Sequence, residues 1–197
     1  MADALLAGLP RIAPVAEEVR LRGLLALTVG GAAAAWWTVQ WYLDQPVETG
    51  RTWLFALVVA VLSGVSVAVN VPRRVRDGLK DARFPTSRVV YETRADGRDR
   101  RIRLSGAVFL TVIVLLMFDQ LAEWGGVTAG IVVGALAALG VADLVESRRW
   151  AKAERERDAD LYVRIGPRAL VAGFGEVQIY EVPSPPDDAR PGPNGSL

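Results

Sequence analysis

Two residue types are missing from this chain of 197 residues altogether: cysteine and histidine. Without cysteine there is no disulfide framework, no thiol nucleophile and no redox compartment to infer. The two absences together exclude Cys/His zinc sites, histidine-ligated haem and a Ser-His-Asp relay. Excess charge of either sign is missing as well. Lys and Arg number 23 against 22 Asp and Glu, a net charge of +1, so the overall balance gives no reason to expect a polyanion such as nucleic acid. Lysine itself is scarce, with only Lys80 and Lys152. Together with the richness in Ala, Gly, Val and Arg, this points to a GC-rich bacterial genome. Phosphate-binding glycine loops carrying a lysine, nucleophile elbows and paired acidic motifs for metal-dependent chemistry are all lacking. The expectation is therefore a protein that is not an enzyme and has no metal and no cofactor.

What the chain does have is long runs without charge. Thr52–Val71 is twenty residues long and uncharged, the length a helix needs to cross a bilayer core of about 30 Å. Runs of the same kind cover 24–43, 104–121 and 127–145. A soluble domain alternates apolar and polar residues instead of collecting them in blocks. The fold class expected is an all-α membrane protein with four transmembrane helices in a bundle, plus a small cytoplasmic β-containing patch. Arg, an apolar run and Ala33–Ala35 also raise a signal peptide. The run is long for one, and Trp36, Trp37, Trp41 and Tyr42 stand where a cleavage region would be polar, so a span is the better reading.

Charge orders the rest. Every basic residue except Arg51 falls before the first run, between the second and third, or after the fourth. The positive-inside rule then puts both termini and the 72–103 loop in the cytoplasm of a bacterial cell, with the chain multi-pass in the plasma membrane. The domain plan is a cytoplasmic N-terminal arm at 1–22, a transmembrane domain at 23–145 that includes the basic loop, a cytoplasmic helix with strands at 146–182, and a disordered tail at 183–197. The arm has Leu5, Leu6, Leu9 and Ile12 on one potential helical face, interrupted by Pro10 and Pro14. It reads as an interfacial anchor or as a frayed tail.

Within the loop, Ala95-Asp96-Gly97 between β-compatible runs is a hairpin signal, because the turn needs positive φ. In the tail, Leu161, Val163 and Ile165 alternate with Tyr162 and Arg164, and Val177 and Ile179 alternate with Gln178 and Tyr180, a strand pattern. The loop hairpin and tail strands are expected to pack into one patch, or else to remain separate segments.

The residues singled out fall into three groups. Arg73, Arg74, Arg76, Arg100 and Arg101 lie in the basic loop, where juxtamembrane cations attract anionic lipid headgroups. They are the expected contact with lipid or with a protein partner, although topology alone would also demand such charges. Ala60, Gly64, Gly126, Gly130 and Gly134 stand on small-residue faces at four-residue spacing, which let helix backbones approach closely in the bundle or against a second subunit. The third run is bulky throughout, from Val108 to Phe118, and is expected on the outside. Asp119, beside Gln120, is a carboxylate within a span, by default a proton or cation site. It lies about one turn from the outer interface, where it could also reach headgroup water or pair with Arg51. Asp143 and Glu146, at the other end of the fourth run, are expected to pair with Arg103 or Arg148. The function read from all this is a non-enzymatic accessory, scaffold or regulatory subunit. The alternative is a small homo-oligomeric transporter or pore, with Asp119, Gln120, Ser63, Ser66 and Asn70 as its polar groups.

Overall fold

The computed structural model describes residues 11–44, 49–85, 90–92, 94–122, 124, 126–165 and 178–183. Among these are four helices, α1 (Val15–Asp44), α2 (Thr49–Lys80), α3 (Arg94–Leu121) and α4 (Val127–Arg157), and four strands, β1 (Arg11–Pro14), β2 (Val90–Tyr91), β3 (Ala159–Ile165) and β4 (Ile179–Pro183). Three helices are long and apolar enough to cross a membrane: Thr52–Lys80, Gly97–Leu121 and Val127–Arg157. The α1 run carries more Thr and Trp than the others and does not reach the same mean hydropathy.

α4 is the hub. α1 and α2 both pack extensively on it, and α3 packs more lightly against α1 and α4. The approach to α2 is close because Gly130 and Gly134 present bare backbone to the Thr52 and Ala56 carbonyls. The approach to α1 is close at Gly23 and Gly140, where an added Cβ would lie 2.9 Å from the opposing carbonyl in each direction. Ala60 is half-buried, and Gly64 faces open space, so the small-residue face of α2 meets α4 only at its first turns. One apolar core joins Val29, Ala33, Trp37, Val112, Leu116 and Ala129 of α1, α3 and α4.

The second core lies under the sheet. Val15, Val75, Trp150, Ala153, Leu161 and Ile179 converge there, with Val19, Leu79 and Val163 at its margin. This core explains three departures from the sequence reading. First, 72–103 is not a loop. α2 runs through Pro72 to Lys80, because Val71 and Val75 keep one apolar stripe at helical spacing and bury it, which outweighs the hydrogen bond that proline removes. Second, Ala95-Asp96-Gly97 forms no hairpin, since these residues lie in the first turn of α3. Among the described residues, the run before them contributes the short strand Val90–Tyr91. Third, the N-terminal arm is neither anchor nor frayed tail over Arg11–Pro14, which form a strand. Residues 1–10 and 184–197 lie outside the described residues.

The sheet order is β2-β1-β3-β4. β1 runs parallel to β2 with Ile12 opposite Tyr91, and antiparallel to β3 with Ala13 opposite Val163. β3 and β4 are antiparallel with Tyr162 opposite Tyr180. Beyond β4, Arg83 donates its N–H to the Ile179 carbonyl at 3.1 Å and accepts from Glu181 N–H at 3.1 Å, fastening the end of α2 to the sheet.

Candidate functional site

Polar side chains gather at the two ends of the helices. At the sheet end, Arg22 of α1 makes a bidentate pair with Asp143 of α4, at 2.6 and 2.7 Å. Asp143 is almost fully buried, and its hydrogen bonds raise the Arg22 guanidinium above its ordinary pKa, against the opposing effect of burial. One turn on, buried Glu146 accepts from Trp150 Nε1 at 3.2 Å. The expected pairing of Asp143 and Glu146 with Arg103 or Arg148 is thus replaced. Both arginines are exposed, while Arg22 is carried inward by the close contact of Gly23 with Gly140.

The five arginines of the basic segment divide sharply. Arg100 donates to both oxygens of Glu18 at 2.7 Å and to Glu92 at 2.9 and 3.0 Å. Arg101 donates to the Gly97 carbonyl at 2.9 Å and lies 3.7 Å from Glu17. These two are occupied in fastening α3 to α1 and to the residue after β2. Glu92 is itself tied to β1 through its N–H to the Ile12 carbonyl at 2.9 Å. Arg73, Arg74 and Arg76 are exposed and, among the described residues, form no ion pair. Arg20, Arg103, Arg148 and Arg149 share that condition. All seven stand toward the sheet ends of their helices, on the segments that the pairings above bring together, and form a collar supplied by all four helices.

At the other end, Trp36, Tyr42, Trp53 and Trp124 are exposed. Phe118 and Trp124 meet edge to face at 5.4 Å. Inside this belt Asp119 is buried, with 1 % of its surface exposed. Its Oδ1 accepts from the Thr128 N–H of α4 at 3.0 Å, and its carbonyl accepts from Trp124 N–H at 3.2 Å. A carboxylate on the second amide of a helix is a cap, favoured by the helix dipole as well as by the hydrogen bond. Gly126, which precedes α4, has φ 92°, a left-handed conformation suited to glycine. Gln120 is exposed and faces away from Asp119. The Arg51 side chain lies outside the described residues. Ser66 and Asn70 are exposed and bond each other at 3.1 Å, and Ser63 is half-buried.

Among the described residues no three acidic side chains converge as a metal site needs. A crevice between α1, α2 and α4, lined by Ala34, Trp37, Thr52, Ala56 and Gly130 among others, holds about 10 Å³. That is room for one water molecule and far below the size of a substrate pocket. The glutamates that engage Arg100 were not legible beforehand. Their only local signal is the Glu17-Glu18 pair at the start of α1, which reads as ordinary helix-terminus charge. No protein-family model, no curated protein and no solved structure matches the chain.

Proposed function

We propose that the chain is a non-enzymatic integral membrane protein, an accessory or scaffold subunit that grips an anionic leaflet through its arginine collar. The observation that carries this reading is the collar itself: seven exposed arginines at the sheet ends of four helices, with no ion pair among the described residues. Along α4, Val127, which closely follows Trp124, and Arg148 of the collar are separated by twenty-one residues, about 32 Å of helix. The aromatic belt and the collar are therefore spaced like the two interfaces of a bilayer core. By the positive-inside rule the collar, the sheet and both ends of the described chain face the cytoplasm of a bacterial plasma membrane.

A topological observation supports α1 as the fourth span. β1 precedes α1, β2 lies between α2 and α3, β3 follows α4, and all belong to one sheet. If α2 crosses the membrane and returns the chain to the sheet, α1 must carry it across first. Gly23 and Gly30 of α1 face α4 and not lipid.

Each basic residue near an anionic surface contributes about 1 kcal/mol of attraction, about fivefold in relative affinity. The test reconstitutes the whole protein in bilayers that mix phosphatidylglycerol with phosphatidylcholine and measures, with spin-labelled lipids, which one the protein retains. Replacing Arg73, Arg74 and Arg76 by Gln lowers the preference for the anionic lipid several-fold and leaves helicity intact. An unchanged preference overturns the lipid reading. Co-purification of a different protein at fixed stoichiometry in that case would assign the collar to a protein partner.

A further inference from the structure

We infer that bound water is an integral component of the outer end of the helices, held between Trp37 of α1 and Asp119 of α3 at the first turn of α4. The inference starts from two buried groups. Asp119 Oδ2 and Trp37 Nε1 are each inaccessible to solvent and have no hydrogen-bond partner among the described residues. Burying such a group unsatisfied is unfavourable, the more so in a membrane, where lipid offers no substitute.

Both residues pack beside the same turn. The other Asp119 oxygen bonds the Thr128 N–H, so the free oxygen belongs to a carboxylate already seated on the α4 N-terminus. The Trp37 ring packs on Gly126 beside the Thr52 hydroxyl, with Cζ2 nearest and Cε2, the carbon bonded to Nε1, 3.0 Å from where a Cβ would stand. Trp37 also shares a core with Leu116, one turn before Asp119, and with Ala129, next to Thr128.

The chemistry of the two groups selects the ligand. One is a donor and the other an acceptor. A cation would meet the indole N–H and the amide ends of α4, and an anion would meet the carboxylate. Water accepts from Trp37 and donates to Asp119, and buried waters characteristically serve such otherwise unsatisfied pairs. The site is thereby a clasp between α1 and the α3–α4 turn, and not a station on an ion path.

The test uses the whole protein in lipid bilayers with ¹⁵N-labelled tryptophan. The Trp37 Nε1–H resonance is assigned by its loss in Trp37→Phe, and polarisation transfer from water to that proton is measured. Transfer at short mixing time is expected, and its loss in Asp119→Asn, which keeps the cap acceptor but replaces Oδ2 with a donor. No transfer in the unaltered protein overturns the inference. Transfer that persists unchanged in Asp119→Asn also overturns it, since the water would then not be shared. Should Asp119→Asn fail to fold, Trp37→Phe prepared with ¹⁵N-labelled threonine gives the reciprocal reading: transfer to the Thr128 amide, present in the unaltered protein, is lost if the water is shared and retained if it is not.

Discussion

Gly134→Ala and Gly64→Ala are the same chemical change on two helices, and the structure gives them opposite outcomes. At Gly134 a methyl would overlap the Ala56 carbonyl oxygen and sit 3.1 Å from that residue's C and Cα atoms. All three are backbone atoms of α2, so no side chain can swing away, and the helices must move apart. Overpacking of this kind costs about 1–3 kcal/mol. At Gly64 nothing lies within 4 Å, and the substitution gains the helix preference of alanine over glycine, about 1 kcal/mol. That gain applies to both variants, so the difference between them isolates the clash: Gly134→Ala is less stable than Gly64→Ala by about 1–3 kcal/mol. Reversible unfolding in mixed micelles, followed by helical circular dichroism, measures both on one scale. Equal stabilities would refute the claim that α2 and α4 meet backbone to backbone. A loss at Gly64 as large as at Gly134 would refute the openness of that face and show it covered by another helix, such as a second copy of the chain.

Two further outcomes follow from the sheet end. Arg22→Gln strands the buried Asp143 carboxylate, and because the Arg22 side chain is 38 % exposed the loss is at the lower end of the range for a broken buried pair, about 3 kcal/mol. Unfolding of Arg22→Gln alone and combined with Asp143→Asn checks this, the double variant recovering part of the loss. Burial, and secondarily the neighbouring Asp160, raise the Tyr162 phenol above its ordinary value near 10. The folded state therefore holds its proton more tightly than the unfolded one. This contribution is complete below pH 10 and declines as the pH rises through and above that value, so Tyr162→Phe flattens the alkaline limb of a stability profile.

The sequence made the charge-free runs plain, and three of the four helices they mark have the length and apolarity to cross a membrane. Strands β3 and β4 were also legible, because the alternation of Leu161 and Val163 with Tyr162 and Arg164 is local. The extension of α2 was not. Residues 73–80 are strongly polar and follow a proline, and their helical stripe of Val75, Gly78 and Leu79 becomes visible only once Trp150 is placed against it. β1 was hidden for a related reason. Four residues that follow Pro10 and end in Pro14 carry little strand signal, and the Ala13 partner, Val163, lies about 150 positions away. The site residues followed the same division. Arg73, Arg74 and Arg76 stand exposed on their helix, whereas Arg100 and Arg101 look identical in sequence and are separated from them only by the distant carboxylates of Glu17, Glu18 and Glu92.

That dependence on distant partners has a consequence for how the molecule is held together. A four-residue β1 and a two-residue β2 are too short to persist as an independent hairpin, and neither belongs to one. They are positioned by the starts of α1 and α3, which Arg100 joins through Glu18 and Glu92. The ends of α2 and α4 are joined in the same way, by Trp150 against Gly78 and by Arg157, which donates to the Leu79 carbonyl at 3.3 Å and to Glu181 at 2.9 Å. The sheet therefore forms only when all four helices stand in register. Contacts of such long sequence separation form late, after the helices have packed on α4. An error in the register of any one helix would withdraw a strand from the sheet and expose the core at Leu161 and Ile179, so the intact sheet reports on the correct assembly of the helices beneath it.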